Sequence, residues 1–142
     1  MGEIKILKVK ATDESMQTVN DFIHSMIPSD CDDMILNQID LAMEEIFVNI
    51  AHYSGAADAE ISCSFTTDEK SENGSGVLEV SFSDSGVPFN PLAKPDPDIT
   101  LSAEERDIGG LGIFLTKKFM DSVEYEYSDG KNKLTISKQI CL

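Results

Sequence analysis

Leu41-Ala42-Met43-Glu44-Glu45-Ile46-Phe47-Val48-Asn49-Ile50 is the stretch on which the fold turns. It lies in a run from about Asp30 to Tyr53 where Ile35, Ile39, Ala42, Ile46, Ile50 and Tyr53 recur on one stripe at helical spacing. The spacing predicts a long helix that ends at Gly55. Glu45 and Asn49 stand one turn apart at the border of that stripe, with Gln38 and His52 beside them. A carboxylate and an amide so spaced can aim two oxygens at one magnesium ion or its waters. By itself the pair fits the solvated flank of an amphipathic helix better.

Outward from this helix the other elements follow from periodicity and punctuation. Residues 3–11 read as a strand of mixed facing. Met16, Val19, Phe22, Ile23, Met26 and Ile27 read as a first helix, capped by Thr12 or Asp13 and stopped by Pro28. Strands are expected at about 57–67 and 77–84, joined by the polar stretch Asp68 to Gly76. Residues 85–108 read as irregular, with Pro88, Pro91, Pro95 and Pro97 followed by Glu104, Glu105 and Asp107. A loop this long is usually functional or disordered. A helix from about Gly110 to Asp121 precedes strands at about 122–128 and 132–140, joined by Ser128-Asp129-Gly130-Lys131 with its Asp-Gly hairpin signal. The order β-α-α-β-β-loop-α-β-β predicts an α/β protein of the two-layer α+β kind, a mostly antiparallel sheet covered on one face by helices. The expected organisation is one domain over residues 1–142.

Composition narrows the function classes. The formal net charge of −15 and the lack of any Lys/Arg cluster argue against nucleic acid, which is bound through displaced counterions. An acidic chain that holds phosphates needs backbone N–H groups and a divalent cation to neutralise them locally. No apolar run reaches the roughly 20 residues of a membrane span, and Met1 to Lys10 lacks the apolar core of a signal peptide. The expected compartment is the cytoplasm. Cys31, Cys63 and Cys141 are odd in number and far apart, which predicts free thiols rather than a disulfide frame. His24 and His52 have no partner at a zinc-ligand spacing.

Two further segments carry chemistry. In Val80-Ser81-Phe82-Ser83-Asp84-Ser85-Gly86, Leu78, Val80 and Phe82 share a face, and Asp84 has their parity. A carboxylate at the end of a core-facing row needs a donor, and the exocyclic amine of adenine would serve. Gly86 would let a ligand approach the backbone. Alone, Asp-Ser-Gly also reads as a turn. In Ile108-Gly109-Gly110-Leu111-Gly112-Ile113, glycines lead into a helix N-terminus, where open N–H groups favour anions. It is not a Walker loop and lacks the strand-first setting of a dinucleotide fingerprint. A plain Gly-rich hinge fits as well.

Order and spacing join the three. Glu45-x-x-x-Asn49, Asp84-x-Gly86 and Gly110-x-Gly112 resemble the asparagine box and two glycine boxes of the GHKL (histidine-kinase-like) ATPases, and most closely the anti-sigma-factor serine/threonine kinases. The resemblance covers nearly the whole chain and implies a Bergerat-type ATP-binding fold. It implies Glu45 as general base, Asn49 as the ligand of Mg2+, and Asp84 on the adenine amine with Gly86 making room for the ring. Gly110, Leu111 and Gly112 would meet the phosphates of ATP, Arg106 would lie in an ATP lid over residues 91–108, and Thr135 would reach adenine through water. Two departures stand out. Tyr53 occupies the place where relatives often carry histidine, with His52 one residue earlier. Arg106 lies about two residues before the usual lid arginine. The implied function is phosphorylation of a serine or threonine on an anti-sigma antagonist protein. The alternative is a nucleotide-loaded clamp on a sigma factor that transfers nothing. A homodimer is within the same resemblance.

Overall fold

A computed structural model of the chain describes residues 3–93 and 111–142. Strand β1 (Lys5–Lys10) leads through a 3-10 turn (Asp13–Ser15) into helix α1 (Met16–His24) and the long helix α2 (Asp33–Tyr53). β2 (Asp58–Thr67) and β3 (Gly76–Asp84) follow, then a 3-10 turn at Pro91–Ala93, α3 (Leu111–Phe119), β4 (Ser122–Ser128) and β5 (Lys131–Ile140). The strands form one sheet in the order β1-β2-β3-β5-β4, and every pairing is antiparallel.

Period-2 alternation gives this sheet one apolar face. Ala59, Ile61 and Cys63 of β2, Leu78, Val80 and Phe82 of β3, and Leu134, Ile136 and Ile140 of β5 are buried. Val19 and Ile23 of α1 and Ile39, Ala42, Met43, Ile46 and Phe47 of α2 close over them. Full burial of such a side chain contributes about 1.5–3 kcal/mol, so this layer contact dominates the fold. The buried face of α2 is broader than the predicted stripe: Met43 and Phe47 lie fully inside, whereas Tyr53 is 58% exposed. A helix laid on a twisted sheet buries more than one narrow row.

Helix ends follow local chemistry. Asp32 caps α2, its carboxylate accepting from the Met34 N–H at 3.0 Å, a contact of about 1 kcal/mol. Just beyond the helix Gly55 has φ +72°, the left-handed stop that glycine adopts most easily. The expected cap at Thr12 or Asp13 falls instead on the 3-10 turn, where Thr12 makes no side-chain cap bond. Asp13 turns to His52 Nε2 at 2.9 Å, and His24 pairs with Asp40 at 2.5 Å, so two His–Asp contacts join the α1 segment to α2. At the β4–β5 turn, Asp129 and Gly130 have φ of 55° and 76°, the signature of the type I′ hairpin that Asp-Gly announces.

Candidate functional site

Asp84 ends β3 with the parity of Phe82 and is 5% exposed, turned toward the helices as its register requires. Its Oδ1 accepts from the Gly86 N–H at 2.9 Å and from Asn132 Nδ2 at 3.1 Å. Among the described residues no hydrogen bond falls on Oδ2. Gly86 is where β3 meets the end of α2. A Cβ built there would stand 2.1 Å from the Ser54 carbonyl oxygen, and the next N–H, of Val87, donates to that oxygen at 2.9 Å. The space left by Gly86, expected to admit the ring, is therefore taken by the backbone of Ser54.

Asp84 and Asn49 line the same cavity, together with Ile46, Ile50, Phe82 and Phe89. Its volume is about 30 Å³, room for a water or two. Phe89 is part of its lining and stacks on Tyr53, with ring centroids 5.6 Å apart and planes at 28°. Such offset aromatic pairs contribute about 0.5–1.5 kcal/mol beyond area burial.

The other end of the site lies where α2 faces α3. Asn49 Nδ2 donates to Glu45 Oε1 at 3.4 Å, a long bond between half-buried side chains. Burial pushes the Glu45 carboxyl above the ordinary carboxylate range, the Asn49 bond opposes this, and neighbouring Glu44 adds to it. A Cβ on Gly112 would stand 2.1 Å from Glu45 Cδ, so the carboxylate lies directly against the first turn of α3. Next to it, the Thr116 hydroxyl, fully buried, donates to the Gly112 carbonyl at 2.8 Å.

Of the expected site residues, Glu45, Asn49 and Gly112 thus meet at one end, and Asp84 and Gly86 at the other, with Asn49 and Asp84 sharing the cavity between. Leu111 is the first residue of α3. Arg106, Gly110 and most of the expected lid lie outside the described residues. Thr135 does not join the group. It pairs with Ser81 on the opposite face of the sheet, its hydroxyl 2.9 Å from that of Ser81, because Leu134 and Ile136 take the inward positions of β5. His52 is held by Asp13, while Tyr53 stacks on Phe89 of the cavity lining.

The sequence reading missed Asn132. It is 5% exposed and directly opposite Asp84 in the β3–β5 pairing. Its amide donates to Asp84 Oδ1 and to the Val87 carbonyl at 2.8 Å, and accepts from the Phe89 N–H at 3.0 Å and from the Tyr125 hydroxyl. A signal existed. Asn132 has the parity of Leu134 and Ile136, a polar head on an apolar row, as Asp84 is on its own row. That β5 sits beside β3 is a long-range pairing that no local pattern announces.

A carboxylate turned into a cavity, an asparagine at its other side and a glycine-led helix beyond make a cleft between a sheet and two helices. The chain matches the histidine kinase-like ATPase domain family over residues 9–138 and belongs to that family. It is 31% identical over 101 residues to the serine-protein kinase RsbW of Listeria monocytogenes serovar 1/2a, an alignment spanning 67% of this chain and 60% of the relative. It is similar in fold to a crystal structure of the RsbU and RsbW domains of Rv1364c from Mycobacterium tuberculosis, with a TM-score of 0.57 and 13% identity. That match covers 96% of this chain and 32% of the other. The structural likeness is one of fold, and the chain spans about 60% of the length of the curated relative it matches. No helix among the described residues is long and apolar enough to cross a membrane.

Proposed function

We propose that this chain binds ATP between α2, β3 and α3 and transfers its terminal phosphate to a serine or threonine of a small partner protein of the anti-sigma antagonist type. A sigma factor would be the second partner. The observation that carries the reading is the Glu45 carboxyl, raised by burial, one turn from Asn49 and against the first turn of α3. A base works best when its pKa approaches the working pH, and this environment moves Glu45 in that direction. Glu45 would take the hydroxyl proton of the partner's side chain as its oxygen attacks phosphorus. Asp84 Oδ2 would accept from the adenine amine, and its fixed Oδ1 keeps the carboxylate from turning away.

Asn49 suits Mg2+, because its Nδ2 is engaged by Glu45 and, among the described residues, no hydrogen bond falls on its carbonyl oxygen, a ligand for a hard cation. When bound, that ion would neutralise charge on the phosphates. The family membership and the kinase named among the relatives support ATP use and transfer respectively. The test is incubation of the purified chain with labelled ATP, magnesium and candidate antagonist proteins from the same genome. Label on a partner serine or threonine is expected. A partner that binds tightly yet never gains phosphate would replace the kinase with the clamp.

A further inference from the structure

Helix α3 is held to the sheet at one end and meets the candidate base at the other. At its C-terminal end Lys138 Nζ of β5 donates to the Phe119 carbonyl at 2.6 Å. The Met120 N–H donates to the Thr116 carbonyl at 3.0 Å, and the Asp121 N–H to the Ser137 carbonyl of β5 at 2.9 Å. Met120 itself is buried in the core. At the N-terminal end stands Gly112, where a Cβ would lie within 2.5 Å of Cδ and both carboxylate oxygens of Glu45. A displacement of this one turn therefore bears directly on the carboxylate.

Thr116 links the two ends. It stands one turn after Gly112, is 0% exposed, and its hydroxyl donates to the Gly112 carbonyl at 2.8 Å. In an α-helix that carbonyl already accepts the N–H of Thr116, so the hydroxyl is not needed to satisfy it. A threonine that bonds back one turn is slightly destabilising and often bends its helix. Valine has the same shape and would fill the space without a polar atom. What the hydroxyl does is set the place of Gly112. It draws the carbonyl closer than a methyl group allows, since carbon meets a carbonyl oxygen at about 3.3–3.6 Å. Exchange of hydroxyl for methyl thus pushes the two apart by about half an ångström. With the C-terminal turn pinned to β5, the turn that carries Gly112 is the part that yields.

We infer that Thr116 is a positioning residue for the proposed base: its hydroxyl, bonded to the Gly112 carbonyl, sets the first turn of α3 at the distance that aligns the Glu45 carboxylate. The inference rests on the proposed transfer reaction and adds to it a residue that, being fully buried, acts only through Gly112. A reacting group has to be held to within about half an ångström of its productive place, which is the size of the shift that loss of the hydroxyl produces. A misplacement of about 1 Å can cost about a hundredfold in rate, so roughly tenfold or more is at stake here.

The experiment separates shape from hydrogen bonding. Transfer of label from ATP, in magnesium buffer, to antagonist proteins from the same genome is read together with thermal unfolding of each preparation of the whole chain. Thr116→Val keeps the shape and removes the donor. Its melting temperature should stay within about 2 °C of wild type or rise, while transfer falls roughly tenfold to a hundredfold. Thr116→Ser restores the donor and deletes a buried methyl. It should melt about 2–8 °C lower, yet return transfer to within about threefold of wild type. A merely structural role would give the reverse order, with transfer tracking stability. In a Glu45→Gln background Thr116→Val should cost less than about a further twofold, because two changes that act through one group do not add. If Thr116→Val does not fold, Thr116→Ala decides: it should melt near Thr116→Ser and transfer as slowly as expected for Thr116→Val. Wild-type transfer by the variants that lack the hydroxyl, or a full further loss in the Glu45→Gln background, overturns the inference and leaves the kinase reading standing. Wild type that labels no antagonist protein removes the transfer reaction itself, and the inference with it.

Discussion

The two ends of the cleft are built differently. At the Asp84 end every group is tied to backbone or to a buried side chain: Gly86 lies against the Ser54 carbonyl, Asp84 is held by Gly86 and Asn132, and Asn132 is filled on all sides. At the Glu45 end the side chains are tied only to one another. Glu45 and Asn49 meet at 3.4 Å, both half-buried, and Gly112 touches the flexible tip of Glu45 rather than a backbone. Rigid groups hold a ligand in one pose at little further cost in entropy, while a base acts on the proton in transit and is read in turnover. Substitutions at the two ends should therefore separate affinity and fold from turnover.

The largest effect is expected at Glu45. Glu45→Gln should lower phosphoryl transfer roughly 10²- to 10⁴-fold, the range for a positioned base. ATP affinity, read on the same preparation, should stay within a few-fold. Glu44 is exposed and points about 100° away around the helix. Glu44→Gln should be nearly silent, and equal losses at both positions would dissolve the base assignment.

The two glycines sharpen the contrast. At Gly112 an added Cβ meets only the carboxylate of Glu45, which can swing aside. Gly112→Ala should therefore keep its stability within about 1 kcal/mol, the scale of helix propensity, while transfer falls on the order of a hundredfold as the base is displaced. At Gly86 the Cβ meets backbone that cannot yield. Gly86→Ala should destabilise by about 1–3 kcal/mol, the usual range for overpacking. Denaturant titration of both variants would break the comparison if Gly112→Ala unfolds more readily than Gly86→Ala.

The smallest effect is a dependence on pH. Burial raises the folded-state pKa of Glu45, so the folded chain favours its protonated form. That contribution is full below the ordinary carboxylate value and is lost as pH rises through the raised one. Glu45→Gln, neutral throughout, should melt level with wild type in acid and no lower near neutral pH, the gap opening across that window. A gap of the opposite sign would mean that Glu45 is stabilised as an anion, and the raised base would be withdrawn. Transfer by wild type should fall with acid, starting above the ordinary carboxylate range.

How much of this was legible in the sequence depends on the distance over which each signal acts. Periodicity found the helix of Glu45 and Asn49, strand parity turned Asp84 inward, and Asp129-Gly130 marked its own turn. All of these are local. Asn132 was overlooked because its meaning comes from the β3–β5 pairing, which joins residues 48 apart in the chain. Thr135 was assigned by resemblance, and the alternation of Leu134 and Ile136 sends it to the other face. Gly86 was read as open toward a ligand, and only the packed structure reveals the Ser54 carbonyl behind it.

The central claim is that Asp84 anchors an adenine nucleotide, and titration calorimetry with ATP and magnesium tests it directly. Wild type should bind in the micromolar range, about −7 to −8 kcal/mol. Asp84→Asn, which replaces an acceptor by an amide that must also satisfy Asn132 and Gly86, should weaken binding about tenfold or more. No heat from folded wild type at millimolar ATP, or an Asp84→Asn variant that binds as wild type does, would contradict the account.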